Sequence, residues 1–159
     1  SPMTRMADAL IEEMLAAEID TAFGVPGESY LDVLDAIAET DGRFSFITCR
    51  QEGGAAMAAE AHGKLTGKPG ICFVTRGPGA TNASAGIHVA RQDSTPMIIF
   101  IGQVETAARH REGFQEIDLE AMFRPIAKWV AEISDPARVQ EYVARAIACA
   151  PRLPRRWPP

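Results

Sequence analysis

The sequence predicts a three-layer α/β fold, a single domain in which helices cover both faces of a mostly parallel sheet. Apolar runs of strand length alternate along the chain with segments of helical periodicity. Short connections rich in glycine and proline separate them, and the run at residues 71–75 shows no polar alternation. Strands without alternation are typical of a sheet covered on both faces, and alternating strands and helices form right-handed βαβ units.

The first half of the chain supplies two helix–strand pairs. Apolar side chains recur at helical spacing after Thr4, a residue type that caps helices. A short apolar run is stopped by Pro26-Gly27, and a second helical pattern ends at Asp41-Gly42. The pattern predicts helices over residues 4–18 and 30–38 and strands over residues 20–25 and 44–49.

The second half continues the alternation. An alanine-rich stretch of high helix propensity begins at Glu52, and Gly77-Pro78-Gly79 turns the chain into a further helix. Asp135-Pro136 begins the last helix. Here the predicted helices cover residues 52–65, 80–91 and 118–123, the predicted strands cover residues 71–75, 97–102 and 128–133, and a loop covers residues 103–117.

Composition narrows the class of protein. The chain has 159 residues and a formal charge of −5, so a nucleic-acid-binding surface is not expected. Its three widely spaced cysteines indicate neither a disulfide framework nor a metal site. With no apolar run of membrane-spanning length and no visible signal peptide, we expect a cytoplasmic protein with no membrane partner. Residues 1–150 form the predicted domain, and the Pro/Arg-rich residues 151–159 can neither continue a helix nor enter a sheet.

Polar and glycine-rich turns follow four of the predicted strands. In open α/β sheets ligands bind at the carboxyl ends of the strands, and glycines there allow close approach to the backbone. The turns are Gly24-Val25-Pro26-Gly27, Arg50-Gln51-Glu52-Gly53-Gly54, Thr75-Arg76-Gly77-Pro78-Gly79-Ala80-Thr81-Asn82 and Gly102-Gln103. We therefore predict a ligand site at this edge of the sheet.

Individual residues indicate a function less clearly than the grouped turns do. Glu52 begins a helix, where an acid favours the helix dipole whether or not it has a further role, and Glu60 is interpreted as structural. Neither a P-loop nor a dinucleotide fingerprint is completed. The three histidines, His62, His88 and His110, lack metal-ligand spacing.

The ordered motifs resemble the N-terminal domain of acetolactate synthase (acetohydroxyacid synthase) and its thiamine-diphosphate-dependent relatives. The resemblance extends from about residue 4 to residue 148. The motifs are Phe23-Gly24-Val25-Pro26-Gly27, Glu52-Gly53-Gly54-Ala55, Ala59-Glu60-Ala61, Thr66-Gly67-Lys68-Pro69-Gly70, Gly77-Pro78-Gly79-Ala80-Thr81-Asn82, Asp93-Ser94-Thr95-Pro96, Gly102-Gln103-Val104 and Phe114-Gln115-Glu116.

This resemblance implies that thiamine diphosphate is the cofactor and that Glu52 and Gln115 are catalytic. Glu52 matches the glutamate that hydrogen-bonds the pyrimidine nitrogen N1′ and so promotes loss of the thiazolium C2 proton, with the cofactor as electron sink for a 2-keto acid. The matching cofactor-binding residues are Val25, Pro26, Gly27, Glu52, Thr75, Pro78 and Asn82. The matching substrate-side residues are Phe114, Gln115 and Gln103.

Three positions depart from the family pattern. Glu28 stands where a glycine is usual, Arg76 where a small residue is usual, and His62 where an aromatic is usual. The first two lie near the substrate side in the family. Decarboxylase, carboligase and oxalyl-CoA-type activities therefore stay open as alternatives.

The family binds the diphosphate and its metal through a second domain marked by Gly-Asp-Gly, a motif that does not occur here. We therefore expect no metal site in this chain, Mg²⁺ only through that other domain, and a fragment that is not active alone. A homodimer or higher oligomer is expected, since the family's active site lies between subunits. The alternative is a non-catalytic dimerisation or interaction module. A flavodoxin-like binding protein would not explain why Glu52 and Phe114-Gln115 occur together.

Overall fold

The computed structural model describes residues 6–102 and 118–150. The helices are α1 (Met6–Ala16), α2 (Leu31–Ala38), α3 (Glu52–Thr66), α4 (Pro78–Gln92), α5 (Leu119–Phe123) and α6 (Val139–Cys149). The strands are β1 (Thr21–Gly24), β2 (Ser45–Thr48), β3 (Gly70–Val74) and β4 (Met97–Ile101). Short 3-10 turns precede α2 and α6. Among the described residues, no helix is long and apolar enough to cross a membrane.

The four strands form one parallel sheet in the order β2-β1-β3-β4. The predicted fold class is confirmed. Strand β3 is buried along its whole length, as its unbroken apolar sequence predicts. Because all strands run the same way, their carboxyl ends meet at one edge. Gly24 lies beside both Thr48 and Phe73 there, and Val74 lies beside Ile101.

Helices cover the two faces of the sheet. Side chains of α1, α2 and α6 share one apolar cluster with Ile71 and Phe73, and those of α3, α4 and α5 share the other with Cys72 and Val74. We call these layers the α1 face and the α3 face. Alternate residues of β3 thus serve opposite layers, which is the period-two geometry of a strand.

The α3 face is packed through very small residues. A Cβ on Gly86 of α4 would lie 2.5 Å from the Cβ of Ala56 on α3, and a Cβ on Gly70 would collide with the carbonyl oxygen of Ala59. The fully buried alanines are Ala55, Ala56, Ala59, Ala80 and Ala83. Helices α3 and α4 therefore lie close to each other and to β3, and their first turns are held in fixed positions at the strand ends.

Two helix boundaries differ from the prediction. Helix α1 ends at Ala16 because Glu18 has the left-handed backbone, with φ of 59°. Helix α4 begins two residues early, at Pro78, because proline suits the first helical position, where its missing N–H loses no hydrogen bond. The predicted cap, Thr4, lies outside the described residues.

The predicted strand at residues 128–133 is wrong. Residues 127–135 form no strand. Val130 packs against the α3-face cluster, whereas Ile133 packs against the α1-face cluster. Because Val130 and Ile133 are three residues apart but pack on opposite layers, the segment that contains them passes around the outside of β4. Its apolar residues are buried by that crossing rather than by a strand ladder.

Candidate functional site

The first turns of α3 and α4 meet at the carboxyl ends of the strands. Glu52 is the first residue of α3, which follows β2 after a short turn. Gln51 caps the helix, since its Oε1 accepts a hydrogen bond of 3.1 Å from the backbone N–H of Gly54. The cap and the close packing behind it determine where the Glu52 carboxylate projects.

The two oxygens of the Glu52 carboxylate have different surroundings. The Asn82 side-chain amide, one turn into α4, donates a hydrogen bond of 3.1 Å to Oε2. A Cβ built on Gly79 would stand 3.4 Å from Oε1. No residue of the described ranges 6–102 and 118–150 is hydrogen-bonded to Oε1. One oxygen is therefore fixed by Asn82, while the other lies beside Gly79.

Thr75 holds the neighbouring turns together. It follows β3 directly, and its side chain would collide with a Cβ on Gly27 and with one on Gly79. The turn after β1 and the first turn of α4 thus both pack against the Thr75 side chain. A Cβ on Gly53 would come within 3.2 Å of the Asn82 carbonyl oxygen. A Cβ at Gly27 or Gly79 would meet the Thr75 side chain, and one at Gly53 would also meet the Gln51 side chain, so glycine lets these connections lie close together.

Tyr30 fixes the turn that contains Val25. Its hydroxyl donates a hydrogen bond to the Val25 carbonyl oxygen, and its ring is buried. Burial, with smaller contributions from Cys72 and Glu52, raises the Tyr30 pKa above its usual range. The phenol therefore stays protonated and remains a donor. The influence of Glu52 on both Tyr30 and Cys72 shows how near its charge lies to the ends of β1 and β3.

The geometry suits the pyrimidine end of thiamine diphosphate. A flat heterocycle needs close approach to the backbone and a polar group at its edge. The region bordered by Gly27, Gly53 and Gly79, which we call the slot, brings glycine backbone close to the Glu52 carboxylate. Within the described part of the chain, no group of three or more His, Cys, Asp or Glu side chains could hold a metal ion.

Most of the predicted site residues lie in this region. Glu52 and Asn82 are in direct contact, and Gly27 and Thr75 pack together beside them. Val25, Pro26 and Pro78 lie on the turns that border the slot, with both prolines exposed. Gln103, Phe114 and Gln115 lie outside the described residues. Glu60, in contrast, is buried and structural, because it accepts a 2.7 Å hydrogen bond from Thr95 and pairs with Lys64.

Sequence reasoning missed the role of Tyr30, which it assigned only to the apolar side of a helix. Its position five residues after Val25, where a turn returns the chain, could have indicated a hydroxyl bonded back to that turn. Gly79 was noticed in its motif but not included among the site residues. Its contact with Glu52 depends on how closely α3 and α4 approach, which no local pattern encodes.

Comparisons with known proteins agree with this geometry. Residues 4–122 match the family model described as thiamine pyrophosphate enzyme, N-terminal TPP binding domain. The acetolactate synthase large subunit of Parasynechococcus marenigrum is 41% identical over 146 residues, which cover 91% of this chain and 24% of that protein. The mitochondrial acetolactate synthase catalytic subunit of Saccharomyces cerevisiae is 39% identical over 137 residues, covering 83% of this chain and 20% of that protein.

An archaeal relative gives the same result. The probable acetolactate synthase large subunit of Methanococcus aeolicus is 36% identical over 144 residues, which cover 91% of this chain and 24% of that protein. The chain thus spans about a quarter of the length of the curated relatives it matches. The ordered motifs, the parallel sheet and the family match agree, and the chain belongs to the thiamine pyrophosphate enzyme family, as its N-terminal TPP-binding domain.

Proposed function

We propose that this chain is the part of an acetolactate-synthase-like 2-keto acid decarboxylase or carboligase that holds the aminopyrimidine of thiamine diphosphate through Glu52. The observation that carries the proposal is the Glu52 carboxylate, with Oε2 held by Asn82 and Oε1 facing the Gly79 backbone. A carboxyl group held in this way can exchange a proton with a ring nitrogen in hydrogen-bond reach.

Each neighbouring residue has a defined task in this proposal. Asn82 prevents rotation of the carboxylate, so that Oε1 keeps one direction. Gly27 and Thr75 form the wall of the slot, while Val25, Pro26 and Pro78 border it. When bound, thiamine diphosphate supplies the electron sink that decarboxylation of a 2-keto acid requires.

The substrate side of the site is proposed to involve Gln103, Phe114 and Gln115, with Gln115 catalytic. Glu28 and Arg76 place opposite charges on two of the turns after the strands, which favours a substrate or acceptor different from that of acetolactate synthases. Mg²⁺ and the diphosphate would be held by a second domain, and the complete site would form in a homodimer or higher oligomer. The 159-residue chain alone is expected to show little or no turnover, and its site of action is expected to be the cytoplasm.

A non-catalytic interaction module has less support. Such a module would need neither a carboxylate at the strand ends nor the glycines that keep the slot beside it open. The matched family model describes a cofactor-binding domain. We therefore favour cofactor binding over the interaction module.

The decisive experiment uses the pyrimidine half of the cofactor. 4-Amino-5-hydroxymethyl-2-methylpyrimidine is titrated into the ¹⁵N-labelled chain, and the amide shifts are followed. We expect saturable shifts at Gly53, Gly79 and Asn82, and binding at least about tenfold weaker in Glu52→Gln. The matched control is Glu120→Gln, an exposed glutamate on α5, which should bind like the wild type.

Two results would count against the proposal. Shifts confined to surfaces away from the strand ends would place the ligand elsewhere, and equal affinity of Glu52→Gln and wild type would remove the role of the carboxylate. A parallel assay of pyruvate decarboxylation with thiamine diphosphate and Mg²⁺ tests the expected inactivity. Robust turnover by the purified 159-residue chain would show that expectation to be wrong.

A further inference from the structure

Tyr30 holds the turn after β1 at two points. Its backbone N–H donates a hydrogen bond of 3.3 Å to the Gly27 carbonyl oxygen, and its side-chain hydroxyl donates to the Val25 carbonyl oxygen. The turn lies between β1 and α2, at the carboxyl ends of the strands, where Glu52 also lies. One residue therefore holds a carbonyl group at each end of the segment Val25-Pro26-Gly27.

The Val25 carbonyl depends on the Tyr30 hydroxyl. Within residues 6–102 and 118–150, no backbone N–H donates to this carbonyl, and the Pro26 nitrogen beside it carries no hydrogen. Burial is the largest of the causes that raise the Tyr30 pKa above its usual range, so the hydroxyl keeps its proton and donates. The direction of the peptide group that joins Val25 to Pro26 is therefore set by Tyr30.

The Tyr30 ring is fixed by aromatic packing on the sheet. The residue is 6% exposed, and its ring centroid lies 5.8 Å from that of Phe73 on β3. Phe73 in turn stacks on Phe100 of β4, with the centroids 4.9 Å apart. Side chains packed in a protein core keep defined positions. Tyr30 thus connects the buried end of β3 with the turn after β1.

Gly27 connects Tyr30 with the surroundings of the Glu52 carboxylate. A Cβ built on Gly27 would lie 3.5 Å from a carbon of the Tyr30 ring and would collide with the Thr75 side chain. Thr75 also packs against Gly79, and a Cβ on Gly79 would stand 3.4 Å from Oε1 of Glu52. Gly27 therefore lies between the Tyr30 ring and Thr75, and both side chains determine how far the turn stands from the carboxylate.

We propose that Tyr30 is a positioning residue for the aminopyrimidine, which acts through the peptide groups of Val25 and Gly27 and not by contact with the ligand. The inference rests on the proposed function of the slot. With the turn held in place before the ligand arrives, binding does not have to include the entropic cost of ordering it. Without the hydroxyl the turn is free to move, and the ligand has to order it on binding.

A hydroxyl that only stabilises the fold would have a different signature. Its loss would lower the free energy of unfolding, yet the folded variant would bind the ligand as the wild type does. Thr95 provides the matched control, because its hydroxyl donates to the buried Glu60 carboxylate at the amino end of β4, away from Glu52. Tyr30→Phe and Thr95→Val each remove one hydroxyl donor and keep the shape of the side chain.

The test titrates 4-amino-5-hydroxymethyl-2-methylpyrimidine into the ¹⁵N-labelled wild type, Tyr30→Phe and Thr95→Val, each well below its thermal unfolding midpoint. We expect Tyr30→Phe to bind at least about tenfold more weakly than the wild type, and Thr95→Val to bind equally well. The amide of residue 30, which is hydrogen-bonded to Gly27, should exchange with solvent at least about tenfold faster in Tyr30→Phe only.

The outcomes separate this inference from the proposed function. Equal affinity of Tyr30→Phe and the wild type would overturn the inference, while weaker binding by Glu52→Gln in the same experiment would still support the proposed function. Equal weakening in Tyr30→Phe and Thr95→Val would also overturn it, because lower stability alone would explain both. Absence of binding by the wild type would contradict the proposed function and the inference together.

A second measurement keeps the hydroxyl and does not require Tyr30→Phe to fold. The chain has two tyrosines, Tyr30 and Tyr142, so incorporation of 3-fluorotyrosine gives two ¹⁹F signals, which Tyr142→Phe assigns. The pyrimidine should shift the signal of residue 30 in a saturable way, since the turn held by its hydroxyl borders the slot. The signal of residue 142, on α6, should not change. An unshifted signal of residue 30 at saturating ligand would overturn the inference.

Discussion

The α3 face and the region around β4 are built in opposite ways. On the α3 face, alanine and glycine bring two helices and a strand so close that a single added carbon would collide with its neighbour. Around β4, larger apolar side chains stay half-buried along a cleft of about 1220 Å³. The close-packed region carries Glu52 and Asn82, whereas the open region carries no predicted cofactor contact. Close packing is thus found beside the carboxylate that we propose to hold the aminopyrimidine.

The difference in packing also indicates which region of the molecule tolerates substitutions. Close packing leaves no space for rearrangement, so substitutions there should have large effects on the free energy of unfolding. Half-buried side chains beside a cleft can move into free space, and their loss removes fewer contacts. The following four predictions test this contrast by equilibrium denaturation, beginning with the largest expected effect.

Loss of the same apolar side chain should have unequal effects in the centre of the sheet and in the region around β4. Ile71 is fully buried in β3 on the α1 face, whereas Ile133 is half-buried in the segment outside β4. We expect Ile71→Ala to lower the free energy of unfolding by about 4 kcal/mol and Ile133→Ala by about 1 kcal/mol. The measurement is urea denaturation. Equal losses would mean that the centre of the sheet and the region around β4 are packed alike.

A single added methyl group should distinguish a close helix contact from an open one. Gly86→Ala would force the new Cβ against Ala56, and we expect a loss of about 2–3 kcal/mol. Gly54→Ala, on the first turn of α3, is the matched control, since a Cβ there would meet no neighbouring atom within 4 Å. It should be neutral or stabilising by about 0.5 kcal/mol. If Gly86→Ala were as stable as the control, close helix packing would not be what positions Glu52.

The hydrogen bond to the buried Glu60 carboxylate tests how much a buried polar group on the α3 face depends on its partner. Thr95, which is fully buried, donates to it from the loop before β4. Thr95→Val keeps the shape but removes the donor, so we expect a loss of about 1–3 kcal/mol. Thr95→Ser retains the hydroxyl and should lose clearly less. A Val variant as stable as the wild type would show that the hydrogen bond does not stabilise this position.

The pH dependence of stability should reveal the buried thiol of Cys72. Burial, with smaller contributions from Cys49 and Glu52, raises the Cys72 pKa from 9.0 to about 12. The folded state therefore binds this proton more tightly, and the resulting stabilisation is complete below pH 9 and is lost between pH 9 and pH 12. Between pH 8 and pH 10 we expect a decrease of about 1.4 kcal/mol from this group.

Cysteine variants isolate that contribution. Cys72→Ala should lose about 1.4 kcal/mol less than the wild type between pH 8 and pH 10, in the presence of a non-thiol reductant. Cys149, half-buried beside the cleft, provides the control. Cys149→Ala should keep the wild-type pH dependence. An unchanged slope in Cys72→Ala would show that its thiol reaches solvent before the chain unfolds.

The sequence predicted some parts of the fold well because their signals are local. Pro26-Gly27, Gly77-Pro78-Gly79 and Asp135-Pro136 mark turns or helix starts by backbone chemistry, and the continuous apolar run of β3 requires burial on both faces. All four strands of the described sheet were predicted to within one residue at each end. The strand predicted at residues 128–133 failed because apolar residues indicate that a segment is buried but not which neighbour buries it.

Only part of the site could be predicted from the sequence, because its geometry also depends on contacts between distant segments. Glu52 and Asn82 follow different strands, and only the parallel arrangement of those strands together with the approach of α3 to α4 makes them neighbours. Both residues could be matched to a known family from the order of the motifs along the chain. The hydrogen bond between them, and the approach of Gly79 to the other oxygen, depend on helix packing and not on sequence spacing.

By itself, the sequence determined the fold class, the family and the residue types at the strand ends, because periodicity, turn chemistry and motif order are properties of the chain. Only the tertiary structure decided which oxygen of Glu52 accepts from Asn82, that Tyr30 fixes the turn after β1, and that β4 pairs with β3 alone among the described residues. These features result from distances between segments far apart in the chain, and those distances are set by how closely alanine, glycine and isoleucine allow helices and strands to approach.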